Sequence, residues 1–215
     1  MSPVAGHLSP VFDTYLKELL EWNKKFNLTS ITDPEEIRTK HFEDSLSLLN
    51  TVHLTTQSLV DVGAGAGFPG IPLKLACPDI KLTLLEATKK KVEFLKHIVS
   101  VLSLENVEVV WGRAEEIAKE KRECFDLAVS RAVAKLNVLS EYCLPLVRAG
   151  GIFVAYKEEE VEAEVEEAKN AIATLGGQIR EIKKFPLRSL VIIDKVRETP
   201  SKYPRRAGMA KKRPL

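Results

Sequence analysis

The sequence predicts an α/β fold, with a mostly parallel sheet that ends in an antiparallel hairpin and a small helical extension before it. Three observations predict this fold class. From Ser58 onward, short apolar segments alternate with helical segments, which is the pattern of βαβ units. A glycine-rich turn at residues 63–70 follows the first apolar segment. Near the end of the chain, the extended runs 178–185 and 187–196 are separated by only a short break, which indicates a hairpin.

The individual elements follow in order. Apolar residues recur with helical spacing from about Pro10 to Asn23. A second helix begins near Asp33, which is a suitable cap and is followed by Pro34 and acidic residues. The predicted strands are 59–63, 81–86, 107–111, 124–130 and 150–156. The predicted helices between and after them are 69–77, 88–103, 113–121, 135–146 and 158–175.

Length and composition fit one such domain. The chain has 215 residues, of which 45% are hydrophobic and 29% charged, and it is too short for two full α/β domains. We expect a helical extension over residues 1–52, a core over 53–198 and a basic tail over 199–215. No apolar run approaches the roughly twenty residues that span a membrane, and no export leader is recognisable. A cytoplasmic protein without membrane contact is therefore expected.

The cysteines and histidines predict neither a disulfide nor a metal site. Cys77, Cys124 and Cys143 are widely spaced and lie in apolar stretches, which is typical of core thiols in a cytoplasmic protein. The four histidines show no metal-ligand spacing. No segment resembles a dimer seam, so we expect a monomer.

The net charge of +2 conceals a strong asymmetry along the chain. Residues 158–167 form an acidic run, which is typical of a solvated helix face, whereas basic residues dominate from Arg180 onward. A basic tail that contains prolines favours a polyanionic partner, and a plain solubility tail is the alternative.

The glycine-rich turn predicts a nucleotide-type site. Asp61 lies in the apolar run before it, and Gly63, Gly65 and Gly67 follow. Glycine permits positive φ angles and lets a ligand approach the backbone closely. About twenty residues later Glu86 ends the second apolar run, where a carboxylate can hold the two hydroxyls of a ribose.

Two nucleotide ligands are compatible with this turn. Residues 65–70 fit the G-x-G-x-x-G pattern of dinucleotide-binding oxidoreductases, and residues 63–67 fit the G-x-G-x-G loop of S-adenosylmethionine-dependent methyltransferases. Pro69 and Pro72 remove N–H donors that a pyrophosphate would need, and Asp61 suits a methionine α-amino group. Five βα units followed by a hairpin are also the order of class I (Rossmann-like) S-adenosylmethionine-dependent methyltransferases. A tight turn without a ligand is the remaining alternative.

Further segments carry a family resemblance along the whole chain. They are Asn27-Leu28-Thr29-Ser30-Ile31, Lys40-His41-Phe42-Glu43-Asp44-Ser45-Leu46, Gly67-Phe68-Pro69-Gly70-Ile71-Pro72-Leu73, Gly112-Arg113-Ala114-Glu115, Ser130-Arg131-Ala132 and Tyr203-Pro204-Arg205-Arg206. With these segments the chain resembles the RsmG (GidB) family, the guanine-N7 methyltransferases of bacterial small-subunit (16S) ribosomal RNA.

The resemblance implies that S-adenosylmethionine is the methyl donor and that N7 of a specific guanine in 16S ribosomal RNA is the acceptor. It also implies a set of cofactor-binding residues. They are Asp61, Gly63, Gly65, Gly67, Phe68, Glu86, Ala87, Thr88, Ala114, Glu115 and Arg131. Ala114 and Glu115 would lie near the adenine, and Arg131 would face either the methionine carboxylate or the RNA. For Glu115 and Arg131 a surface ion pair is the alternative.

Guanine N7 carries a lone pair and no proton, so the transfer needs alignment and exclusion of water but no general base. We therefore name no catalytic residue. The candidate RNA-binding residues are His41, Asp44, Lys157, Lys202, Tyr203, Arg205, Arg206, Lys211 and Lys212. His41 and Asp44 either shape the mouth of the pocket or form a structural pair, and Tyr203 either stacks on a base or holds the tail in place. A catalytically silent RNA-binding assembly factor is the alternative to an enzyme.

Overall fold

A single seven-stranded sheet forms the centre of the computed structural model, which describes residues 9–215; residues 1–8 of the predicted extension lie outside that part. The strands are β1 Ser58–Val62, β2 Lys81–Glu86, β3 Val107–Trp111, β4 Phe125–Arg131, β5 Val147–Lys157, β6 Gly177–Phe185 and β7 Arg188–Lys195. Their order across the sheet is β3-β2-β1-β4-β5-β7-β6, with β7 antiparallel to both of its neighbours and the other pairs parallel. The predicted parallel sheet with a final hairpin is confirmed.

Helices cover both faces of this sheet. They are α1 Ser9–Asn23, α2 Pro34–Ile37, α3 Asp44–Leu46, α4 Gly70–Ala76, α5 Lys89–Val101, α6 Ala114–Glu120, α7 Leu136–Cys143, α8 Glu162–Thr174 and α9 Met209–Lys212. No described helix is both long and apolar enough to cross a membrane.

The predicted second helix is not one regular helix. After α2 the chain forms a π-helical segment, Arg38–Glu43, then α3 and a 3₁₀ segment, Ser47–Asn50. Serine hydroxyls bond to backbone carbonyls within this stretch: Ser45 Oγ donates to the His41 carbonyl and Ser47 Oγ to the Asp44 carbonyl. Such local bonds compete with the regular helical pattern, which the spacing of apolar residues does not reveal.

Three smaller expectations were wrong. The helix predicted at 158–175 begins only at Glu162, and the fifth strand begins earlier than predicted, at Val147, with an irregular register opposite Phe125. Cys124 is exposed because it precedes β4 in the turn, so only Cys143 is a fully buried thiol, with Cys77 half-buried.

The two terminal segments pack on opposite faces of the sheet. Phe12 and Tyr15 of α1 share one hydrophobic cluster with Ile71 of α4, and Tyr203 of the tail joins the cluster on the other face. On one side of β1 lie β2 and then β3, and on its other side lies β4. The direction in which the chain adds strands therefore reverses between β1 and β4. In open parallel sheets a crevice forms outside the carboxyl ends of the strands at this reversal.

Candidate active site

The glycine-rich turn between β1 and α4 borders a cavity of about 400 Å³ at this crevice. Gly65 has a φ of +60°, and a Cβ there would meet only the Gly63 carbonyl oxygen, at 3.8 Å, so the backbone faces open space. Gly67 has a φ of +94°, and a Cβ there would lie 2.5 Å from both the Tyr15 hydroxyl and Ile71. The turn therefore needs glycine for two reasons: access at Gly65 and close packing beneath Gly67.

Glu86 connects the loops that follow β1 and β2. Its Oε2 accepts a hydrogen bond from the Gly65 N–H at 2.9 Å, and its Oε1 accepts one from the Thr88 N–H at 2.7 Å. The side chain borders the cavity although the residue is only 6% exposed. Each carboxylate oxygen keeps a second acceptor position, so the pair can still accept two hydroxyl hydrogens.

Replacing Glu86 by alanine is expected to weaken binding of S-adenosylmethionine by about 1–3 kcal/mol, because charge-assisted hydrogen bonds to the ribose are lost. Titration calorimetry of the purified variant measures this change. Glu86→Gln is the matched control, since it keeps one acceptor and the shape of the side chain, and should lose less. Unchanged affinity in Glu86→Ala would refute the assignment of Glu86 to the ribose.

Asp61 lies beneath the turn and does not border the cavity. Its Oδ2 accepts a hydrogen bond from the Gly70 N–H at 2.8 Å, while Oδ1 has no partner among the described residues. Burial raises the pKa of Asp61 to about 7, against the Gly70 hydrogen bond and the charge of Arg131, which lower it. In this structure the side chain supports the turn, and its contact with a methionine amino group stays a prediction.

Residues from the N-terminal extension and from β4 meet above the turn. Arg131 Nη1 donates to Asp44 Oδ2 at 2.8 Å, and Arg188 Nε donates to the other oxygen of Asp44. The side chains of Arg131 and Asp44 are 8% and 2% exposed. The Arg131 guanidinium also lies over the Phe68 ring, 5.0 Å from its centroid. One buried carboxylate thus holds two arginines, and the group keeps a net positive charge.

His41 belongs to the same group and is neutral at physiological pH. Burial, together with the charge of Arg131, lowers the pKa of His41 to about 4. His41 Nδ1 lies 3.2 Å from both Arg131 Nη2 and the Lys40 carbonyl oxygen. The other ring nitrogen, Nε2, is hydrogen-bonded to Thr29 Oγ1 at 2.8 Å. The ring stacks on Phe68 with centroids 4.6 Å apart.

A second cavity, of about 820 Å³, adjoins the first, and both are bordered by His41, Arg131 and Ala132. Positive charge comes from Lys40, Lys135, Lys157 and Arg188, and negative charge from four glutamates just before and within the first turns of α8. Two of the lysines are paired with these glutamates, Lys157 with Glu164 and Lys135 with Glu167. The two cavities thus meet at three shared residues.

Comparison with known proteins identifies the family. A family model described as rRNA small subunit methyltransferase G matches residues 9–191. The chain belongs to this family. It is 50% identical, over 211 residues, to the ribosomal RNA small subunit methyltransferase G of Alkaliphilus metalliredigens (strain QYMF), with 94% of this chain and 88% of that protein covered.

Two further matches extend this finding. The protein of the same name from Brevibacillus brevis is 47% identical over 213 residues, which cover 95% of this chain and 90% of that protein. Among solved structures, M. jannaschii TYW2 in complex with AdoMet superposes with a TM-score of 0.59 at 14% identity, over 76% of this chain and 77% of that one. At this identity the likeness shows the fold alone. The fold is that of class I S-adenosylmethionine-dependent methyltransferases, as predicted.

The predicted cofactor residues divide into two groups. Those that border the first cavity are Gly63, Gly65, Phe68, Glu86, Ala87 and Arg131. Those that do not border it are Asp61, Gly67, Thr88, Ala114 and Glu115. Glu115 is only 4% exposed, and its Oε1 accepts the Gly208 N–H at 2.9 Å, so in this structure its carboxylate secures the tail.

The predicted RNA-binding residues also divide. His41 and Lys157 border the second cavity, whereas Asp44 is buried between two arginines. Tyr203 is 7% exposed inside a hydrophobic cluster, so it holds the tail in place and offers no ring for stacking on a base. Of the predicted RNA-binding residues in the tail, four are exposed: Lys202, Arg206, Lys211 and Lys212.

Arg205 has a partner within the protein. Its Nε and Nη2 donate to the two oxygens of Glu141, at 2.9 and 2.6 Å, and its backbone N–H donates to Oε1. The Glu141 side chain is 1% exposed. This bidentate ion pair ties the tail to α7 and occupies one edge of the guanidinium, so the phosphate contact predicted for Arg205 would have to use the remaining Nη1 donors and stays a prediction.

Two residues at the site were not predicted from the sequence. Tyr15 is fully buried, and its hydroxyl donates to the Ala66 carbonyl within the glycine-rich turn. Arg188, at the start of β7, shares Asp44 with Arg131. No local pattern points to either, because each reaches its partner across a large separation along the chain. Within residues 9–215 no group of His, Cys, Asp and Glu is arranged to hold a metal ion.

Proposed function

We propose that the chain transfers the methyl group of S-adenosylmethionine to N7 of a specific guanine in 16S ribosomal RNA. The observation that carries the proposal is the pair of adjoining cavities that share His41, Arg131 and Ala132. The first has the glycine-rich turn and Glu86 of a nucleoside site, and the second, which is larger, opens directly beside it and leaves room for an acceptor nucleotide. The family membership of the chain supports the same reaction.

The residues present fit S-adenosylmethionine. Gly65 offers open backbone, Glu86 offers two free acceptor positions and Phe68 offers an apolar surface beside them. Bound there, the cofactor supplies an electrophilic methyl group on a positively charged sulfur. We propose that Gly63, Gly65, Phe68, Glu86, Ala87 and Arg131 contact it, and that Asp61, Gly67 and Thr88 support these contacts.

The chain's own residues would promote the transfer by alignment. The neutral ring of His41 adds no positive charge beside the sulfonium, and its stack on Phe68 closes one side of the boundary to water. Arg131 carries a charge that can face the O6 and phosphate oxygens of a guanosine nucleotide. No proton leaves N7, so no side chain must act as a base, and positioning supplies the acceleration.

We propose further that the protein acts as a cytoplasmic monomer without a metal ion, and that three parts contribute. The N-terminal extension, 1–52, supplies His41 and Asp44, and the core, 53–198, supplies the cofactor site. The tail, 199–215, supplies exposed lysines and Arg206 for phosphate contacts. The large hydrophobic contacts of both extensions with the core support this joint action.

Radiolabelled S-adenosylmethionine tests the proposal, with small-subunit RNA or particles from a strain that lacks this gene as the acceptor. We expect label in a single guanine, mapped by cleavage chemistry selective for N7-methylguanine, and loss of the label in Glu86→Ala. Particles from the parent strain are the control and should accept little label, because their guanine is already methylated. Binding of the cofactor without any transfer would favour the alternative of a silent RNA-binding assembly factor.

A further inference from the structure

Trp111 is the most exposed large hydrophobic side chain of the described residues, at 62%. It ends β3 at the edge of the sheet and pairs in register with Glu86 of β2. Its indole N–H donates to the Ala87 carbonyl at 3.0 Å, and Ala87 borders the cofactor cavity. The ring is therefore fixed at one end beside the mouth of that cavity, while most of its surface faces solvent.

Basic residues flank the segments that hold this ring. Lys89, Lys90 and Lys91 begin α5 directly after the loop to which Trp111 bonds. Lys91 borders the cofactor cavity, whereas Lys90 Nζ lies over the Phe26 ring, 5.4 Å from its centroid. The first turn of α5 has no acidic residue. Because cations at the positive end of a helix are unfavourable for the helix, these lysines do not serve its stability.

The same positive surface continues around the edge of the sheet. Arg113 is exposed two residues after Trp111, and the tail reaches this edge from the other face, where Gly208 bonds to Glu115. Arg206 is exposed in the adjoining segment of the tail. Exposed cations therefore stand both at the start of α5, which follows β2, and in the loop that follows Trp111.

We propose that this surface, which we call the Trp111 rim (Lys89, Lys91, Trp111 and Arg113), docks a single-stranded segment of the RNA substrate. A base of that segment stacks on the exposed face of Trp111, and the neighbouring phosphates lie against the lysines. Aromatic rings with a flanking basic groove are the usual means of holding unpaired nucleotides, since every base has a face that can stack. The proposal rests on the proposed RNA substrate and places a second RNA contact at the edge of the sheet, outside the lining of the second cavity.

The fluorescence of Trp111 can report RNA binding at the rim because the chain has only two tryptophans. Trp22, the other one, packs at tilted angles against Phe26, Phe94 and His97, so it is replaced before the measurement. In a Trp22→Phe background, a short single-stranded RNA oligonucleotide should quench the fluorescence of Trp111. S-adenosylmethionine alone should leave it nearly unchanged. This measurement needs no turnover, so it can succeed or fail independently of methyl transfer.

Substitutions at the rim provide a second test of the proposal. Trp111→Ala should weaken RNA binding about tenfold, as expected for loss of one stacked base, and raise KM for small-subunit RNA to a similar extent. Trp111→Phe keeps an aromatic face and should lose much less. The Kd for S-adenosylmethionine, measured by calorimetry, should change alike in the two variants, because both lose the bond to the Ala87 carbonyl, whereas the RNA affinity should separate them.

Lys89→Ala tests the charged part of the rim. It should lower the slope of log K against log salt by about 0.7–0.9, which is one phosphate contact. Lys96→Ala is the matched control, because Lys96 is exposed on the same helix about 10 Å further on and should leave the slope unchanged. Quenching by S-adenosylmethionine, with weaker binding of it in Trp111→Ala than in Trp111→Phe, would instead assign Trp111 to the cofactor. Unchanged RNA affinity in both Trp111→Ala and Lys89→Ala would overturn the proposal, whether or not the wild type methylates RNA.

Discussion

Replacing Asp44 by alanine is expected to lower the free energy of unfolding by about 3–5 kcal/mol, the usual cost of removing one partner from a buried ion pair. The Asp44 side chain is 2% exposed, and its two oxygens hold Arg131 and Arg188, whose side chains are 8% and 17% exposed. Without the carboxylate, two poorly hydrated guanidinium groups face each other. Urea unfolding of the variant and the wild type measures the loss, provided that the free energy of unfolding depends on urea concentration with the same slope in both proteins.

Asp13 provides the matched control for this prediction. It lies in the same extension and pairs with Arg38, but its side chain is 54% exposed. Asp13→Ala should therefore cost less than about 1 kcal/mol, as exposed ion pairs do. A loss equally small in Asp44→Ala would mean that the two arginines remain hydrated, and that Asp44 does not organise the boundary between the two cavities.

The parts of the site that were predictable from sequence are those whose pattern is local. The glycine-rich turn, Glu86 and the order of strands all follow from spacings within a few residues or from the alternation of apolar segments. Glu86 bonds to Gly65, only 21 residues away, and both follow neighbouring strands. The carboxyl ends of parallel strands meet at one edge, so their nearness follows from the fold class itself.

The parts that were not predictable depend on contacts between distant segments. Arg131 and Arg188 reach Asp44 from 87 and 144 residues away, and Tyr15 reaches Ala66 from 51. A sequence motif also does not show whether a charged side chain forms an ion pair within the folded protein. Arg205 belongs to a basic tail in the sequence, but it folds back onto a buried carboxylate in the structure.

Asp61→Asn is expected to change how stability depends on pH, because the pKa of Asp61 is raised to about 7 in the folded protein from 3.8. Between these two values the folded state binds more protons than the unfolded state, so this group makes stability fall as pH rises, with no further change above pH 7. The asparagine variant lacks this loss. Relative to wild type it should gain up to about 4 kcal/mol in free energy of unfolding between pH 4 and pH 8.

The comparison between variant and wild type isolates Asp61 from His41, which acts in the opposite direction. The pKa of His41 is lowered from 6.5 to about 4, so its contribution to stability rises with pH in that range, in both proteins alike. Asparagine can keep the acceptor for the Gly70 N–H, so the turn should retain its shape. Its amide adds a buried donor whose cost does not vary with pH and therefore shifts the whole curve without changing the slope. Urea unfolding at pH 4, 6 and 8 measures the difference, and a difference that stays constant over this range would mean that Asp61 is already ionised in the folded protein at pH 4.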